Sequence, residues 1–481
     1  GPNVTTFNRI KTGFLSICFY ILQIVNKLKD LIMRNIVIIF MFVFFAGCIS
    51  NRETDYYSGK QVEVLKEVQN RSIDSSTIRS IIAPFKPDRI ITVGGAGADM
   101  KGFTSEAIQT AIDAIRVEGG RGTVILLQGE FEVIAPVRLY SNITLKGSGE
   151  KTILKKCKGY SSPFAVDADY GELQVTVQDA SGFKPGMGVA IFDEDQRYGW
   201  DLTTAKITAI KGDTLFIDEF LVRDYRSDKK GTVSNACSVI SAVEAENIKI
   251  ADLVVDGSAG SNDMIDGCRA GGIYLHKVRN AVIENVTVKN FNSDGISWQI
   301  TEHVTVRKCE VYGCTNSGLH PGTGSPYTVI EGNRSHDNGG YGLFVCWRVR
   351  NGIVRDNIFY RNGRNGISTG HKDTDMLFSG NHIYENGSDG ISLRGETDLN
   401  APHRSVFRNN IIENNGTREK GYGIGIYSKA EDVVIENNVI RNTGNNKQIA
   451  AIYLSANSLP VKVENNEFSG HSAGDIISDQ K

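Results

Sequence analysis

The 481-residue chain is poor in proline, cysteine and tryptophan, with 10, 8 and 3 of these residues. It also lacks an excess of either charge, because 53 basic and 55 acidic residues give a formal net charge of -2. Such a balance argues against global disorder and generic nucleic-acid binding, which both usually carry a strong charge bias. Glycine is abundant at 51 residues, but without a three-residue period, so collagen is excluded. Much glycine with little proline indicates many tight turns between short strands.

The cysteines do not form a pattern that predicts a metal site or a disulfide scaffold. Apart from Cys18 and Cys48, the chain has Cys157, Cys237, Cys268, Cys309, Cys314 and Cys346. No pair has CxxC spacing, so we expect buried thiols and predict no metal ligands. No phosphate-binding loop followed by Lys-Ser/Thr is present, and no cofactor is required by any motif. The Asp- and Asn-rich turns are compatible with Ca²⁺, although EF-hand spacing is absent.

Residues 33–47 have the pattern of an export signal. A short basic start leads into the ten apolar residues Ile36–Phe45, which are too few to span a bilayer as a helix. Ala46 and Gly47 then precede Cys48, as small residues do at a cleavage site. This stretch resembles a bacterial lipoprotein lipobox. The resemblance implies cleavage before Cys48, lipidation of its sulfur and an exported protein anchored to the outer membrane. An ordinary cleavage site beside a cysteine is the alternative.

Two segments flank this signal. Residues 1–32 contain another apolar run, and we interpret them as an upstream extension that is not part of the native mature protein; an uncleaved membrane hairpin is the alternative. Residues 48–86 are polar and aperiodic beyond the cysteine, which is typical of a tether. We therefore expect membrane contact only through the lipid anchor.

The strongest signal is an internal repeat. Five markers are 24 residues apart: Asn285, Cys309, Asn333, Asn357 and Asn381. The register continues, with coils of 28 or 29 residues, at Asn410, Asn438 and Asn466. Each marker ends a short strand, and a second strand such as DGISW or YGLFV follows a glycine turn. Short strands without a 3.6-residue period predict an all-β fold, a right-handed parallel β-helix. The aligned asparagines are expected to form amide ladders.

A helix is predicted before the repeat. In the stretch SEAIQTAIDAIRVEGG, apolar residues recur on one helical face, Thr104 or Ser105 can cap the start, and Gly119-Gly120 can end it. A helix over the open end of a solenoid would hide its edge strands. The pattern resembles the N-terminal entry of pectin-degrading β-helix enzymes. The chain then divides into the cap with the first coils, a small β insertion, the β-helix coils and a C-terminal tail, at residues 87–159, 160–236, 237–470 and 471–481.

Residues from about 240 to 470 resemble the parallel β-helix repeat family of carbohydrate-binding proteins and sugar hydrolases. The middle coils also look like mannuronan C-5 epimerases, in which a Pro-His pair on one coil precedes an arginine on the next. The corresponding stretch here is GLHPGTGSPYTVIEGNRSHDNGGYGLFVCWRV, where His320 and Arg348 are the matching positions. The chain departs from that family at Leu319-His320-Pro321, because the family's Asp before Pro-His is missing. The resemblance implies a polysaccharide substrate.

The residue after each glycine of the second strands is expected to point inward, so period two sends the next residue outward. This predicts an outward stripe that is locally cationic through His276, His320, Arg348, Lys372 and Arg394. Stacked like charges repel one another, so an anionic partner would stabilise them. The loops TGHKDTD and RGETDLNAPH would wall a groove for an extended sugar chain. Candidate substrate-binding residues are His276, Gln299, Phe344, Trp347, Asp375, Arg394, Glu396, Asp398 and His403.

These residue types suit proton abstraction beside the carboxylate of a uronic acid, which leads to elimination (a lyase) or epimerisation. Arg348 is the predicted carboxylate clamp, because a guanidinium binds a carboxylate through two hydrogen bonds. His320 and His371 are the candidate acid and base. Lys372 is a second clamp or an alternative base, and Asp373 could orient His371 or Lys372.

Two other functions stay open. A glycoside hydrolase would use two carboxylates from adjacent coils, with candidates Asp373, Asp375, Glu396 and Asp398. A non-catalytic, glycan-binding surface lipoprotein would need aromatic residues more than acid and base groups, and an aromatic content of 9% argues mildly against it. Asp294 and Asp389 each precede a glycine, and we interpret them as turn formers.

Overall fold

The structure is a computed structural model that describes residues 88–444 and 447–480. The predicted extension, export signal, Cys48 and the whole tether therefore lie outside the described residues. The predicted fold class is confirmed: the chain is an all-β, right-handed parallel β-helix.

Three columns of parallel strands run along the β-helix, with one strand or half-strand from each coil. The first column, called here the front sheet, has eleven strands: Val137–Leu139, Ile240–Val243, Ile273–His276, Ile296–Gln299, Leu319–Gly322, Leu343–Phe344, Ile367–Thr369, Ile391–Leu393, Gly421–Ile426, Gln448–Leu454 and Ile476–Ser478.

The second and third columns share two long strands that bend from one column into the other, Glu246–Asp256 and Arg279–Lys289. The second column also contains Met100–Lys101, Arg89–Gly94, Gly122–Leu126, Ile143–Lys146, Glu302–Arg307, Val329–Glu331, Ile353–Arg355, Leu377–Ser379, Val406–Arg408, Val434–Glu436 and Lys462–Glu464. The third contains Gly129–Val133, Thr152–Lys156, Glu310–Tyr312, Arg334–His336, Ile358–Tyr360, His382–Tyr384, Ile411–Glu413, Val439–Arg441 and Glu467–Ser469.

Two asparagine ladders stabilise the turns of the coils, one between the second and third columns and one between the third column and the front sheet. In the first ladder, the Asn333 side-chain amide donates to Asn357 Oδ1 over 2.9 Å, and the same bond repeats through Asn381, Asn410, Asn438 and Asn466. A second ladder, which the sequence analysis did not identify, consists of Asn338, Asn362, Asn386, Asn415 and Gln448. All of these side chains except Asn466 are buried, so their bonds satisfy polar groups that water cannot reach.

Asn285 does not belong to the first ladder, contrary to the prediction. Glu284 pairs with Arg307, so the coil is 23 residues long here and Val286, not Asn285, is level with Cys309. Asn285 is instead exposed, and its amide donates to Asp252 Oδ1 over 3.1 Å. A count of residues alone cannot reveal such a one-residue shift, because every coil ends in a similar strand.

The predicted helix, α1, spans Ser105–Glu118. The Thr104 hydroxyl accepts the Ala107 backbone N–H, and Gly119 ends the helix with its N–H on the Ile115 carbonyl. The buried side of α1 includes Ile108, Ile112 and Ile115, which join the core of the β-helix. The helix thereby packs on the first coils, where a bare sheet edge would otherwise be open to pairing.

A separate antiparallel sheet lies between the first and second strands of the front sheet in sequence. It consists of Ser161–Pro163, Thr232–Ser234, Gly188–Phe192, Thr203–Lys211, Thr214–Ile217 and Gln174–Thr176, in that spatial order. It has its own hydrophobic cluster, which contains Phe164, Ile191 and Tyr225. Short 3-10 helices occur at Gly149–Lys151, Ser227–Lys229, Ala259–Ser261 and Asp398–Asn400.

Candidate functional site

The outer side of the front sheet presents one residue per coil in a continuous row. Strand pairing puts Ser241, Tyr274, Ser297, His320, Phe344, Ser368 and Ser392 level with one another, and we call them the outer row. The alternation that the sequence predicted is therefore present, because the intervening residues, such as Leu275 and Trp298, are fully buried in the core.

The expected exposure of this row is wrong for every member except Phe344, because the other six residues are buried. Residues 257–271, the cover segment, lie across it: Ser297 Oγ donates to the Gly267 carbonyl over 2.6 Å, and Tyr274 Oη donates to the Cys268 carbonyl over 2.7 Å. Gly267 must be a glycine, since a Cβ there would overlap the Asp294 carboxylate and lie 2.9 Å from His320 Nδ1. His320 is consequently only 4% exposed.

His320 forms a buried pair with Asp294. The imidazole Nδ1 lies 2.7 Å from Asp294 Oδ2, while Asp294 Oδ1 accepts the Ser317 N–H over 2.7 Å. Burial by itself would lower the pKa of His320, but the adjacent carboxylate outweighs it and raises that pKa to about 10. The ring is therefore charged at neutral pH, and the structure argues against the predicted role of His320 as a base.

Gln299 and His276 also depart from the predicted stripe. Gln299 is fully buried and donates to Ser297 Oγ over 3.1 Å, so the polysaccharide contact predicted for it is not available. The His276 ring lies 5.2 Å from the Trp200 ring of the inserted sheet. Burial, helped by Lys277 and Arg269, lowers the pKa of His276 to about 4, so it adds no positive charge at neutral pH.

Five predicted residues do come together in the turns that follow three consecutive front-sheet strands. We call Trp347, Arg348, His371, Lys372 and Glu396 the turn cluster. The Trp347 and His371 rings are 4.8 Å apart, and His371 Nδ1 is 3.1 Å from Glu396 Oε2. The Arg348 N–H donates to the His371 carbonyl over 2.7 Å, which sets one turn directly on the next.

The turn backbone determines how these side chains are presented. Trp347, Arg348 and Lys372 have φ values of 63°, 65° and 58°, in the left-handed region that bulky residues rarely adopt. Trp347 is 51% exposed. In the part of the chain that the structure describes, the Arg348 and Lys372 side chains form no ion pair or hydrogen bond. Two cations are thus free to bind an anion.

Asp373 stabilises the turn but does not orient His371, contrary to the prediction. Its carboxylate accepts the N–H groups of Gly370 and Val349 over 2.8 and 3.0 Å, and the side chain is fully buried. Burial raises its pKa to about 6, although Arg394 and these N–H groups oppose the shift. Glu396 occupies the position beside His371 that the sequence analysis gave to Asp373.

Arg394 connects the turn cluster to the outer row. Its guanidinium donates to Ser368 Oγ and to the Val345 carbonyl over 3.0 and 2.9 Å, and it lies 4.7 Å from the centre of the Phe344 ring. The Asp373 carboxylate is 3.6 Å away. Arg394 is therefore held against the front sheet, with Phe344 partly exposed beside it.

The other predicted binding residues are bound to neighbouring groups of the protein. Asp375 forms a two-pronged ion pair with Arg404 at 2.7 and 2.9 Å, and Asp398 lies 3.2 Å from Lys429. His403 Nδ1 accepts the Glu431 N–H over 3.0 Å. These contacts stabilise loops and leave the three side chains outside the turn cluster.

Asp389 contacts two tyrosines of a later coil, which the sequence did not predict. Its Oδ2 accepts the Tyr427 hydroxyl over 2.9 Å, and its Oδ1 accepts the Tyr422 N–H over 2.9 Å. Burial raises the pKa of Asp389 to about 7. The sequence does contain a signal for such a contact, the Asp-Gly-Ile motif that repeats at Asp294 and Asp389. In the structure, both carboxylates contact a ring on a following coil.

Other features lie away from the turn cluster. A cavity of about 670 Å³ lies between α1, the inserted sheet and the first coils, with Arg138, Arg269 and Tyr274 in its wall. Among residues 88–444 and 447–480, no group of three or more His, Cys, Asp or Glu side chains could hold a metal ion. Calcium binding stays a prediction. No helix in these ranges has the length and apolar character needed to cross a membrane.

The family model described as right handed beta helix region matches residues 252–401 and 373–481. The model described as rhamnogalacturonase A/epimerase, pectate lyase-like, matches residues 90–320 and supports a carbohydrate-active protein. No curated protein sequence matches the chain.

Several solved structures are similar to this chain. The A-module of the Azotobacter vinelandii mannuronan C-5 epimerase AlgE4 has 16% identity and a TM-score of 0.49, covering 78% of this chain and 95% of its own. The Streptococcus pneumoniae surface protein and adhesin PfbA has 16% identity and a TM-score of 0.45, with the same coverages. A Thermotoga maritima exopolygalacturonase has 15% identity and a TM-score of 0.39, covering 85% and 96%. The predicted resemblance to β-helix proteins is confirmed as one of fold.

Proposed function

We propose that this protein is an enzyme that acts on a polysaccharide containing uronic acids, by removing the proton from carbon 5 of the sugar at the turn cluster. One observation carries the proposal: His371 has a carboxylate partner, and the stacked turns that hold it also carry Arg348 and Lys372, whose side chains have no ion pair or hydrogen bond in the described residues. That combination offers a base together with a binding site for the carboxylate of the substrate.

In the proposed reaction, Arg348 and Lys372 bind the sugar carboxylate and Trp347 packs on the sugar ring. His371, with its Nδ1 hydrogen directed to Glu396, offers Nε2 to accept the carbon-5 proton. The electron pair of the broken C–H bond moves toward the carboxylate, where the two cations stabilise the developing charge.

The fate of that electron pair separates a lyase from an epimerase. In elimination, the pair forms a carbon-4–carbon-5 double bond and the glycosidic oxygen leaves with a proton from an acid. In epimerisation, carbon 5 takes a proton from the opposite face of the ring and no bond of the chain breaks. Both outcomes begin with the same proton transfer to His371, so the turn cluster serves either one.

A glycoside hydrolase is the second candidate, and Asp389 is the observation that favours it. A carboxyl group whose pKa is raised to about 7 is partly protonated at neutral pH, as a general acid must be. Of the carboxylates predicted for this role, Asp375 and Asp398 are paired with Arg404 and Lys429, which favours their charged form, and Asp373 accepts two backbone N–H groups.

A panel of acidic and neutral polysaccharides, assayed for both near-ultraviolet absorbance and reducing ends, tests the proposal. A lyase produces absorbance with new reducing ends, a hydrolase produces only reducing ends, and an epimerase produces neither but changes the sugar composition. We expect Arg348→Ala and His371→Gln to lower turnover by about 100-fold or more, the usual range for a general base. The matched control is the exposed neighbour Arg350→Ala, which should keep wild-type turnover. Wild-type turnover in both site variants would exclude the turn cluster.

We also propose that the protein is exported and anchored to the outer membrane by lipid on Cys48, as the lipobox-like sequence suggests. The wild-type protein should then fractionate with membranes and incorporate labelled fatty acid. Cys48→Ala should abolish labelling and move the protein to the soluble fraction. Equal labelling of both proteins would refute the anchor.

A further inference from the structure

We infer that Tyr427 and Tyr453 form an additional subsite for a sugar ring, on the two coils that follow the turn cluster. The inference rests on the proposed function, because it assigns the ring to the same polysaccharide chain. It adds a binding determinant that lies outside the residues proposed to react with the substrate.

Strand pairing puts both tyrosines on the outer side of the front sheet. Ser392 of the outer row pairs with Gly425, which pairs with Tyr453 on the next coil, and Leu393 pairs with Ile426. Tyr427 follows Ile426 and therefore emerges on the same side as Gly425. The outer row thus continues past the turn cluster toward the two rings.

Gly425 provides the space that this arrangement needs. A Cβ at that position would lie 2.7 Å from Asp389 Oδ2 and 2.7 Å from Cε2 of Tyr427. Real side-chain atoms essentially never approach so closely, so any other residue would push Tyr427 away from Asp389.

Both tyrosine hydroxyls are held by carboxylates. Tyr427 Oη donates to Asp389 Oδ2 over 2.9 Å, and Tyr453 Oη donates to Asp479 Oδ2 over 2.6 Å. Tyr422 supports the second ring by stacking 4.4 Å away at 11°. Rings fixed in this way lose little conformational freedom when a ligand binds.

The chemistry of the two rings fits a pyranose. Tyr427 and Tyr453 are both partly exposed, and their centres are 5.4 Å apart with an angle of 51° between the planes. A pyranose presents C–H groups on its faces and hydroxyls at its rim, which suits an aromatic face bordered by polar groups.

A second aromatic stack, on the third column, differs in this respect. There Tyr360 is buried between His336 and Tyr384, with centres 4.5 and 5.0 Å away, and Arg361 covers its ring. That stack lies on the third column and not on the outer row of the front sheet, so its partly exposed ring Tyr384 offers a matched control, Tyr384→Ala.

Asp389 is a positioning residue in this inference, since it contacts Tyr427 and not the sugar. Asp389→Ala would free the Tyr427 hydroxyl and should weaken binding of the polysaccharide. Asp389→Asn retains an oxygen that can accept the hydroxyl hydrogen and should restore most of the binding. Equal loss in the two variants, or no loss in either, would refute this role.

The test is affinity electrophoresis through gels that contain polygalacturonate or alginate, with the dissociation constant taken from the retardation of each variant. We expect Tyr453→Ala to weaken binding about threefold to tenfold, the size of an aromatic packing contribution. Tyr453→Phe keeps the ring and should stay near the wild-type value, as should Tyr384→Ala. Circular dichroism of each variant checks that the fold is intact.

Several outcomes overturn the inference: unchanged binding by Tyr453→Ala, an equal loss in Tyr384→Ala, or no retardation of the wild-type protein by either polymer. Failure of the proposed chemistry is distinguishable from these results. If no polymer is turned over but retardation still depends on Tyr453, the subsite stands and the reaction does not. His371→Gln, with turnover lost and retardation kept, supports both.

Discussion

Asp294 and Asp389 lie in equivalent Asp-Gly-Ile turns but make different contacts. Asp294 is fully buried beside His320 and holds that ring in its charged form, whereas Asp389 receives the Tyr427 hydroxyl and is itself partly protonated. Both were interpreted as turn formers from the sequence. That reading was incomplete because Asp before Gly is favoured in turns whether or not its carboxylate also contacts another coil.

The His320–Asp294 pair predicts that the protein loses stability as the pH becomes alkaline. The pKa of His320 is raised from about 6.5 in the unfolded chain to about 10 in the fold. The stabilisation is therefore complete below about pH 6.5 and is lost as the pH rises through 10. We expect the free energy of unfolding of the wild-type protein to fall between pH 7 and 10 more steeply than that of His320→Gln, measured by denaturant titration.

The comparison between the two proteins isolates this one histidine. Buried thiols such as Cys309 also have raised pKa values, and they weaken the fold with rising pH in both proteins alike. Parallel curves for wild type and His320→Gln over this range would show that the charged pair contributes no net stability.

The asparagine ladders show which elements the sequence could reveal. Asn333, Asn357 and Asn381 were predictable because a constant 24-residue spacing brings equal positions onto one line. Asn285 was misplaced because one coil is a residue shorter. The cover segment was missed altogether, since residues 257–271 have no periodic pattern, and the burial of His320 depends on them.

The buried ladder should contribute measurably to the stability of the solenoid. Asn357→Ala removes the acceptor of the Asn333 backbone N–H, which then lies buried without a partner. It also removes one of the two bonds of the Asn333 side-chain amide, which keeps the Val306 carbonyl. A buried group without a partner costs about 1–3 kcal/mol. We expect a clear drop in the thermal midpoint, followed by circular dichroism.

The matched control is Asn285→Gly, at an exposed asparagine outside both ladders. The φ of Asn285 is 53°, which glycine adopts without strain, so the effect should stay within about 0.5 kcal/mol. Equal effects of the two substitutions would mean that the buried ladder bonds and the exposed bonds contribute equally to the free energy of unfolding.

At the scale of the whole molecule, the fold could be predicted far better than the site. Repetition, glycine turns and a capped helix identify a parallel β-helix, because every coil has the same pattern of short strands and turns. The site is not repeated. Which of Asp373 and Glu396 contacts His371 is decided by the path of two irregular turns, and neither pattern nor propensity describes that path.

The whole-molecule view also limits where a polysaccharide can bind. The cover segment closes the middle of the outer row, while the coils from Phe344 onward leave Trp347, Arg348 and His371 at the surface. A chain lying along those later coils would meet the turn cluster first and the two tyrosines next.

The most direct test of the account is proton NMR of a susceptible uronic-acid polymer after incubation with the protein in heavy water. The account predicts loss of the carbon-5 proton signal, through deuterium incorporation by an epimerase or an unsaturated product from a lyase, and no loss with His371→Gln. Chain cleavage with the carbon-5 proton fully retained would contradict it and indicate a hydrolase.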